Sequence, residues 1–189
     1  MNTAAVSKPL PLSKWPEERP KRLGPIWMLV PATLGVLGVV NHEWWGDEAF
    51  TWLVAGESHT LRELITNLGF QGHPRPYYIL AWMLRQIWEN PLAWSFTNLA
   101  FALGAIFLFM RSAPVTRVQA ALFSLGFYPL FQYGVIARSY SMFMFFLFLY
   151  CHLRATRRSA IEARFAVLAV LAQIHLFSLM ATTVLLFLD

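Results

Sequence analysis

The chain has 189 residues, 57% hydrophobic and 13% charged, with a mean hydropathy of +0.49, a balance that argues against a water-soluble globular domain and for a membrane protein. Its net charge of +5 comes from short basic clusters flanking apolar runs, not from a basic stripe interleaved with aromatics, so no nucleic-acid partner is expected. The single cysteine, Cys151, excludes an intramolecular disulfide and a multi-cysteine metal site.

Residues 1–23 are polar and proline-bearing, with Lys8, Lys14, Arg19, Lys21 and Arg22 set against Glu17 and Glu18. A cytosolic disordered tail is expected there. Between Arg22 and Glu43 lie 20 uncharged positions, the length that about 30 Å of hydrocarbon demands of a helix, which makes 24–41 the first expected span.

The segment 42–90 then collects Glu43, Asp47, Glu48, Glu57, Glu63 and Glu89, six of the ten carboxylates. Charged groups held between apolar runs at a membrane boundary are candidates for function. Asp47 and Glu48 precede the run AFTWLVA, where carboxylates suit the unpaired amides of a first helical turn, and capping alone would account for Asp47. Further on, Thr60-x-x-Glu63 fits a capping box. Leu61, Leu64, Ile65 and Leu68 form an apolar stripe expected to lie flat on the bilayer, with Gly69 and Gly72 ending the helix. Only nine uncharged residues separate Arg75 from Arg85, too few to cross the hydrocarbon. A further interfacial helix is expected there, with Trp82 and Trp88 at headgroup level.

Beyond Glu89, uncharged runs of 21, 20 and 24 positions begin at Asn90, Val118 and Phe165, and one of 15 begins at Ser139. The expected spans are 91–110, 118–137, 139–154 and 165–188, the shortest extending Arg138 and Arg154 toward opposite interfaces. The expected fold is therefore all-α: a polytopic membrane protein of about five transmembrane helices, with interfacial helices in its first outer loop. With the N-terminus cytosolic, eleven basic residues fall inside and four outside. That arrangement puts 42–90, the turn at Arg138 and Asp189 on the periplasmic or extracellular face of the membrane, the cytoplasmic membrane if the organism is bacterial.

Three stretches on that face carry possible chemistry. Asp47-Glu48 is a carboxylate pair that, shielded from water, serves as a general base toward a hydroxyl. His73-Pro74-Arg75-Pro76-Tyr77-Tyr78 joins a cation and two phenols to prolines that stop the preceding helix. Arg138-Ser139-Tyr140 runs against the charge bias, and its guanidinium suits bidentate contact with a phosphate, from a substrate or from a plain lipid headgroup. His175, within the last expected span, is a packed polar residue or a ligand contact. No Gly-rich phosphate loop, HExxH or GxSxG occurs.

In order, spacing and side, these positions resemble the GT-C class of membrane glycosyltransferases, in the branch of protein O-mannosyltransferases and bacterial aminoarabinose transferases. That branch has an Asp-Glu pair in the first outer loop, a His-Pro-Pro-Leu-Tyr-Tyr-like motif after it, and an Arg-x-Tyr at the outer end of a later helix. Here His73 follows Glu48 by 25 positions, and Arg75-Pro76 stands where the family has Pro-Leu. The resemblance implies inverting transfer of a sugar from a polyprenyl-phosphate donor to an acceptor on the non-cytosolic face. Asp47 and Glu48 would be catalytic, sharing a divalent cation (Mg or Mn) where one is used. His73, Arg75, Tyr77, Tyr78, Arg138, Tyr140 and His175 would bind substrate. It implies also that the chain corresponds to the amino-terminal part of such an enzyme, set among membrane lipids, with a partner membrane subunit completing the site. The alternative is a non-catalytic membrane scaffold subunit, or a truncated, inactive fragment of such a transferase.

Overall fold

The structure is a computed structural model that describes residues 24–69, 75–156 and 160–188. It is all-α, and no strand occurs among the described residues. The expected tail lies outside them. A short 3₁₀ turn, Pro25–Met28, leads into α1, Leu29–Asn41. Val30, Leu34, Leu37 and Val40 are exposed on α1, while its buried face carries Pro31, Gly35 and Val39 with Gly38 beside them. A Cβ at Gly35 would meet Leu99 at 2.5 Å, and one at Gly38 would meet Val135 at 2.5 Å. Small residues thus let α1 close on α5 (Leu92–Ser112) and on the stretch ending at Val135.

Three short helices follow: α2, Gly46–Glu57, α3, Leu61–Leu68, and α4, Arg75–Arg85. At the start of α3, Thr60 Oγ1 accepts from the Glu63 N–H at 3.2 Å. Glu63 Oε2 in turn accepts from the His59 N–H at 2.8 Å, one residue out of register with the expected capping box. Gly69 ends α3 at φ 52°, the only positive φ among the described residues, a conformation that glycine adopts without a Cβ penalty. Gly72 lies outside the described residues. The apolar stripe of α3 corrects the expectation of a helix lying on the bilayer. Leu64 and Leu68 are buried in a core shared with Trp52, Ala81, Trp94 and Ile174, and only Leu61 and Ile65 stay exposed. Through α4, which packs on α5 and α8, these three short helices are folded onto the rest of the chain.

Two further expected spans are broken, each for a local reason. The run 118–137 divides into α6, Arg117–Ser124, and a π-helical segment, Phe127–Val135. Pro129 has no N–H to donate and its ring would strike the Leu125 carbonyl. Gly126 sits where a Cβ would come within 3.1 Å of the Phe123 carbonyl oxygen. The chain then turns back into α7, Ser139–Thr156. The run 165–188 is split at His175 into α8, Ile161–Ile174, and α9, Leu176–Leu188. At the split Ser178 Oγ accepts from the His175 N–H at 2.7 Å and donates to the His175 carbonyl at 2.5 Å, so the freed backbone groups are satisfied.

Among the described residues α5 alone is by itself long and apolar enough to cross a membrane. Pro25–Asn41 with α2, bent by 79°, and Arg117–Val135 with α7, bent by 118°, reach that standard as pairs, and Leu176–Phe187 is a shorter apolar helix. Length and composition thus support one to three spans.

One buried amide ties the broken run to α5. Asn98 Nδ2 donates to the carbonyls of Tyr133 (2.8 Å), Gly134 (3.2 Å) and Ile136 (3.1 Å), and its Oδ1 accepts from Ser141 Oγ at 2.5 Å. The Tyr133 and Gly134 carbonyls lie where the π-helical segment ends, and the Ile136 carbonyl accepts in addition from the Arg138 N–H at 2.9 Å. Asn98→Leu removes the side-chain donor from the Tyr133 and Gly134 carbonyls and is expected to cost about 2–3 kcal/mol of stability, measured by thermal unfolding in detergent. Ser141→Ala, which removes one donor, is expected to cost about 1 kcal/mol.

Candidate active site

The two adjacent carboxylates have opposite environments. Glu48, the third residue of α2, is fully buried. Its Oε2 accepts from the Trp45 N–H at 2.9 Å, closing the first turn of α2, and lies 2.8 Å from His42 Nε2. Its Oε1 accepts from the Ala137 N–H at 2.6 Å. The capping role open to Asp47 is thus filled by Glu48, and both oxygens of Glu48 are engaged. Asp47 is half exposed, at 51% of its side-chain surface, and its backbone is steadied by Thr51 Oγ1, which donates to the Asp47 carbonyl at 2.9 Å.

Because Glu48 holds the Ala137 amide, the next residue, Arg138, is delivered beside Asp47. Arg138 Nε lies 2.6 Å from Asp47 Oδ2, and the guanidinium sits 5.0 Å from the centre of the Trp45 ring, a cation–π contact. The Nε–H is not aimed along a hydrogen bond, and this buried nitrogen has no hydrogen-bond partner. The contact with Asp47 is therefore one of charge.

Arg138 also lines a cleft of about 440 Å³ with Gln132, Tyr133, Tyr140, His175 and Phe177. The break at His175 supplies one wall. The His175 ring packs 5.2 Å from Tyr140 and stacks 5.2 Å from Phe177, and Tyr140 stacks on Tyr133 at 5.4 Å. A second, apolar groove of about 400 Å³ shares Tyr128, Tyr133 and Phe143 with the cleft and continues past Phe127 and Phe148. The composite is a cationic head with an oily extension.

Of the residues singled out from sequence, Asp47, Arg138, Tyr140 and His175 meet at or beside this cleft. Tyr77 and Tyr78 do not line it; both are buried in the core, with Tyr77 4.6 Å from Trp94. Burial, followed by the charges of Glu48, Tyr78 and Asp47, holds the Tyr77 phenol well above its ordinary pKa. Burial also raises Tyr78. Both therefore stay neutral as core phenols behind the carboxylates. The Tyr77 hydroxyl is buried without a hydrogen-bond partner, so Tyr77→Phe is expected to change unfolding stability by less than about 1 kcal/mol. Arg75 is exposed at the first position of α4 and is not part of the cleft lining. His73 lies outside the described residues.

Among the described residues no three His, Cys, Asp or Glu side chains converge to hold a metal ion. Sequence reasoning missed Asn98, His42, Trp45, Gln132 and Tyr133. A polar amide inside the apolar run of α5 was a readable signal for Asn98; the others carry none that separates them from ordinary loop and span residues. Compared with protein-family profiles, with curated proteins and with solved structures, the chain matches none.

Proposed function

We propose that this chain is a membrane glycosyltransferase, or the amino-terminal part of one, moving a sugar from a polyprenyl-phosphate donor to an acceptor hydroxyl outside the cytosol. One observation carries the reading. Asp47 Oδ2 and Arg138 Nε, 91 positions apart in sequence, lie 2.6 Å apart, Arg138 lines a cleft, and an apolar groove shares Tyr128, Tyr133 and Phe143 with that cleft. A phosphate fits the guanidinium, and a prenyl chain fits the groove.

In this reading Asp47 removes the proton of the acceptor hydroxyl. The oxygen attacks the anomeric carbon from the face opposite the phosphate, a new glycosidic C–O bond forms, and the bond from carbon to phosphate oxygen breaks with inversion. The electron pair stays on the phosphate, where Arg138 stabilises the growing negative charge, the contribution that is usually largest in such a step. Tyr140 and His175 bound the space beside it. Glu48 takes no part in bond making; it fixes the backbone that presents Arg138. No step is routed through a cation.

The same reading sets the chain across the membrane five times, with bends at Gly126 and His175 and the outer layer α2–α4 on the non-cytosolic face. Non-helical backbone at membrane depth is tolerated where it lines a cavity, as it does at His175. Two measurements test these points. In a Cys151→Ser background, a cysteine at exposed His59 is expected to react with an impermeant thiol reagent in intact cells. One at exposed Ala155 is expected to react only after permeabilisation, and equal reaction of both in intact cells would rule out the topology. Membranes holding the chain are expected to transfer label from a polyprenyl-phosphate sugar to a hydroxyl acceptor. Complete absence of transfer would favour a scaffold subunit that keeps the fold.

A further inference from the structure

The groups assigned to base and to phosphate binding are each other's partners, and this sets an order of events. Arg138 Nε stands 2.6 Å from Asp47 Oδ2, with the two side chains 27% and 51% exposed. A guanidinium held by one anion is not open to another, and a carboxylate turned to a guanidinium is not turned to an acceptor hydroxyl. We propose that Asp47 and the phosphate of the donor compete for Arg138, so that donor binding exchanges one anion for the other and frees Asp47 as base. The inference rests on the transferase reading for the identity of the anion, but not for the exchange itself.

Several features suit Arg138 to an exchange. A half-exposed ion pair contributes little net stability, so a competing phosphate has little to overcome. The pair uses Nε in a contact without hydrogen-bond direction, whereas a phosphate accepts two aligned N–H bonds from the guanidinium fork. Both backbones are pinned, Asp47 through Thr51 and Arg138 through the Glu48 bond to Ala137, so only side chains need move. Trp45, whose ring lies under the guanidinium, gives Arg138 a face to rest on as it changes partner. Asp47 is the more exposed of the pair, so its release turns a free carboxylate toward the side from which an acceptor arrives. The consequence is ordered binding: donor first, acceptor second.

The test measures binding of a short-chain polyprenyl monophosphate to the whole chain in detergent micelles, without sugar or acceptor. Asp47→Asn, nearly isosteric, is expected to bind it roughly three- to tenfold tighter, the factor by which pairing withholds Arg138. Equal or weaker binding overturns the exchange. In an Arg138→Gln background the same Asp47→Asn change is expected to give no gain. A gain of equal size there means plain charge repulsion and also overturns the exchange. Inorganic phosphate, run in parallel, separates the headgroup from the chain: a gain with both probes, or with the lipid alone, supports the exchange and says which source of phosphate the site accepts. Thermal unfolding of each variant shows that it is folded. Tighter lipid-phosphate binding by Asp47→Asn, together with no sugar transfer by the unmutated chain, leaves the exchange standing and removes the transferase reading.

Discussion

Asp47→Asn is expected to lower sugar transfer from a polyprenyl-phosphate donor by about 10²- to 10⁴-fold, the range a positioned general base contributes. The loss should fall on kcat, because the amide cannot take the acceptor proton, while the donor KM should fall through release of Arg138. Stability should change by less than about 1 kcal/mol, since Asp47 is half exposed and its ion pair is screened by water. Glu43, exposed in the same loop, is the control, and Glu43→Gln should leave transfer intact. Unchanged kcat in Asp47→Asn would remove Asp47 as the base, whatever the fate of Glu43→Gln.

The second large effect falls on stability. Glu48→Ala deletes a fully buried carboxylate that satisfies two backbone amides and His42. Breaking such a buried charged network costs about 3–5 kcal/mol. Unfolding in detergent, followed by circular dichroism, should show the loss. Glu48→Gln keeps the shape and one oxygen but turns an NH₂ toward at least one donor, so about 1–3 kcal/mol is expected. If Glu48→Gln instead keeps full stability and loses transfer, Glu48 is part of the chemistry and not a backbone staple.

The pair illustrates what composition and spacing can say. A row of uncharged residues long enough for the hydrocarbon placed α5 within two residues of its observed ends, because length and hydropathy are local properties. The same reasoning drew straight helices through Gly126–Pro129 and through His175. Proline there was a readable breaker. The break at His175 was not, since nothing in the run LAQIHLFSL announces that Ser178 will bond both polar groups of the His175 backbone. Stripe counting on α3 found the right apolar residues but the wrong neighbour, because periodicity tells that a face is buried and not whether lipid or protein covers it.

At the site, the sequence singled out Asp47, Arg138, Tyr140 and His175 as separate short motifs; that the last three line one cleft, with Asp47 against Arg138, depends on turns that no motif encodes. Roles within the carboxylate pair were equally hidden. Adjacent residues on a helix point about 100° apart, so one faces the core and its neighbour the water, and only the packing of the Ile136–Arg138 turn decides which.

The bond from Glu48 to the Ala137 amide joins residues 89 positions apart, and that distance has a biosynthetic meaning. A chain emerging from the ribosome exposes Glu48 long before residue 137 exists, so the carboxylate lacks its Ala137 partner until the intervening segments are made. Its dehydration, and with it the seating of α2 against the Ile136–Arg138 turn, comes late in maturation. Nascent chains halted before that point should carry an α2–α4 segment that proteases cut readily, and chains released after it should not.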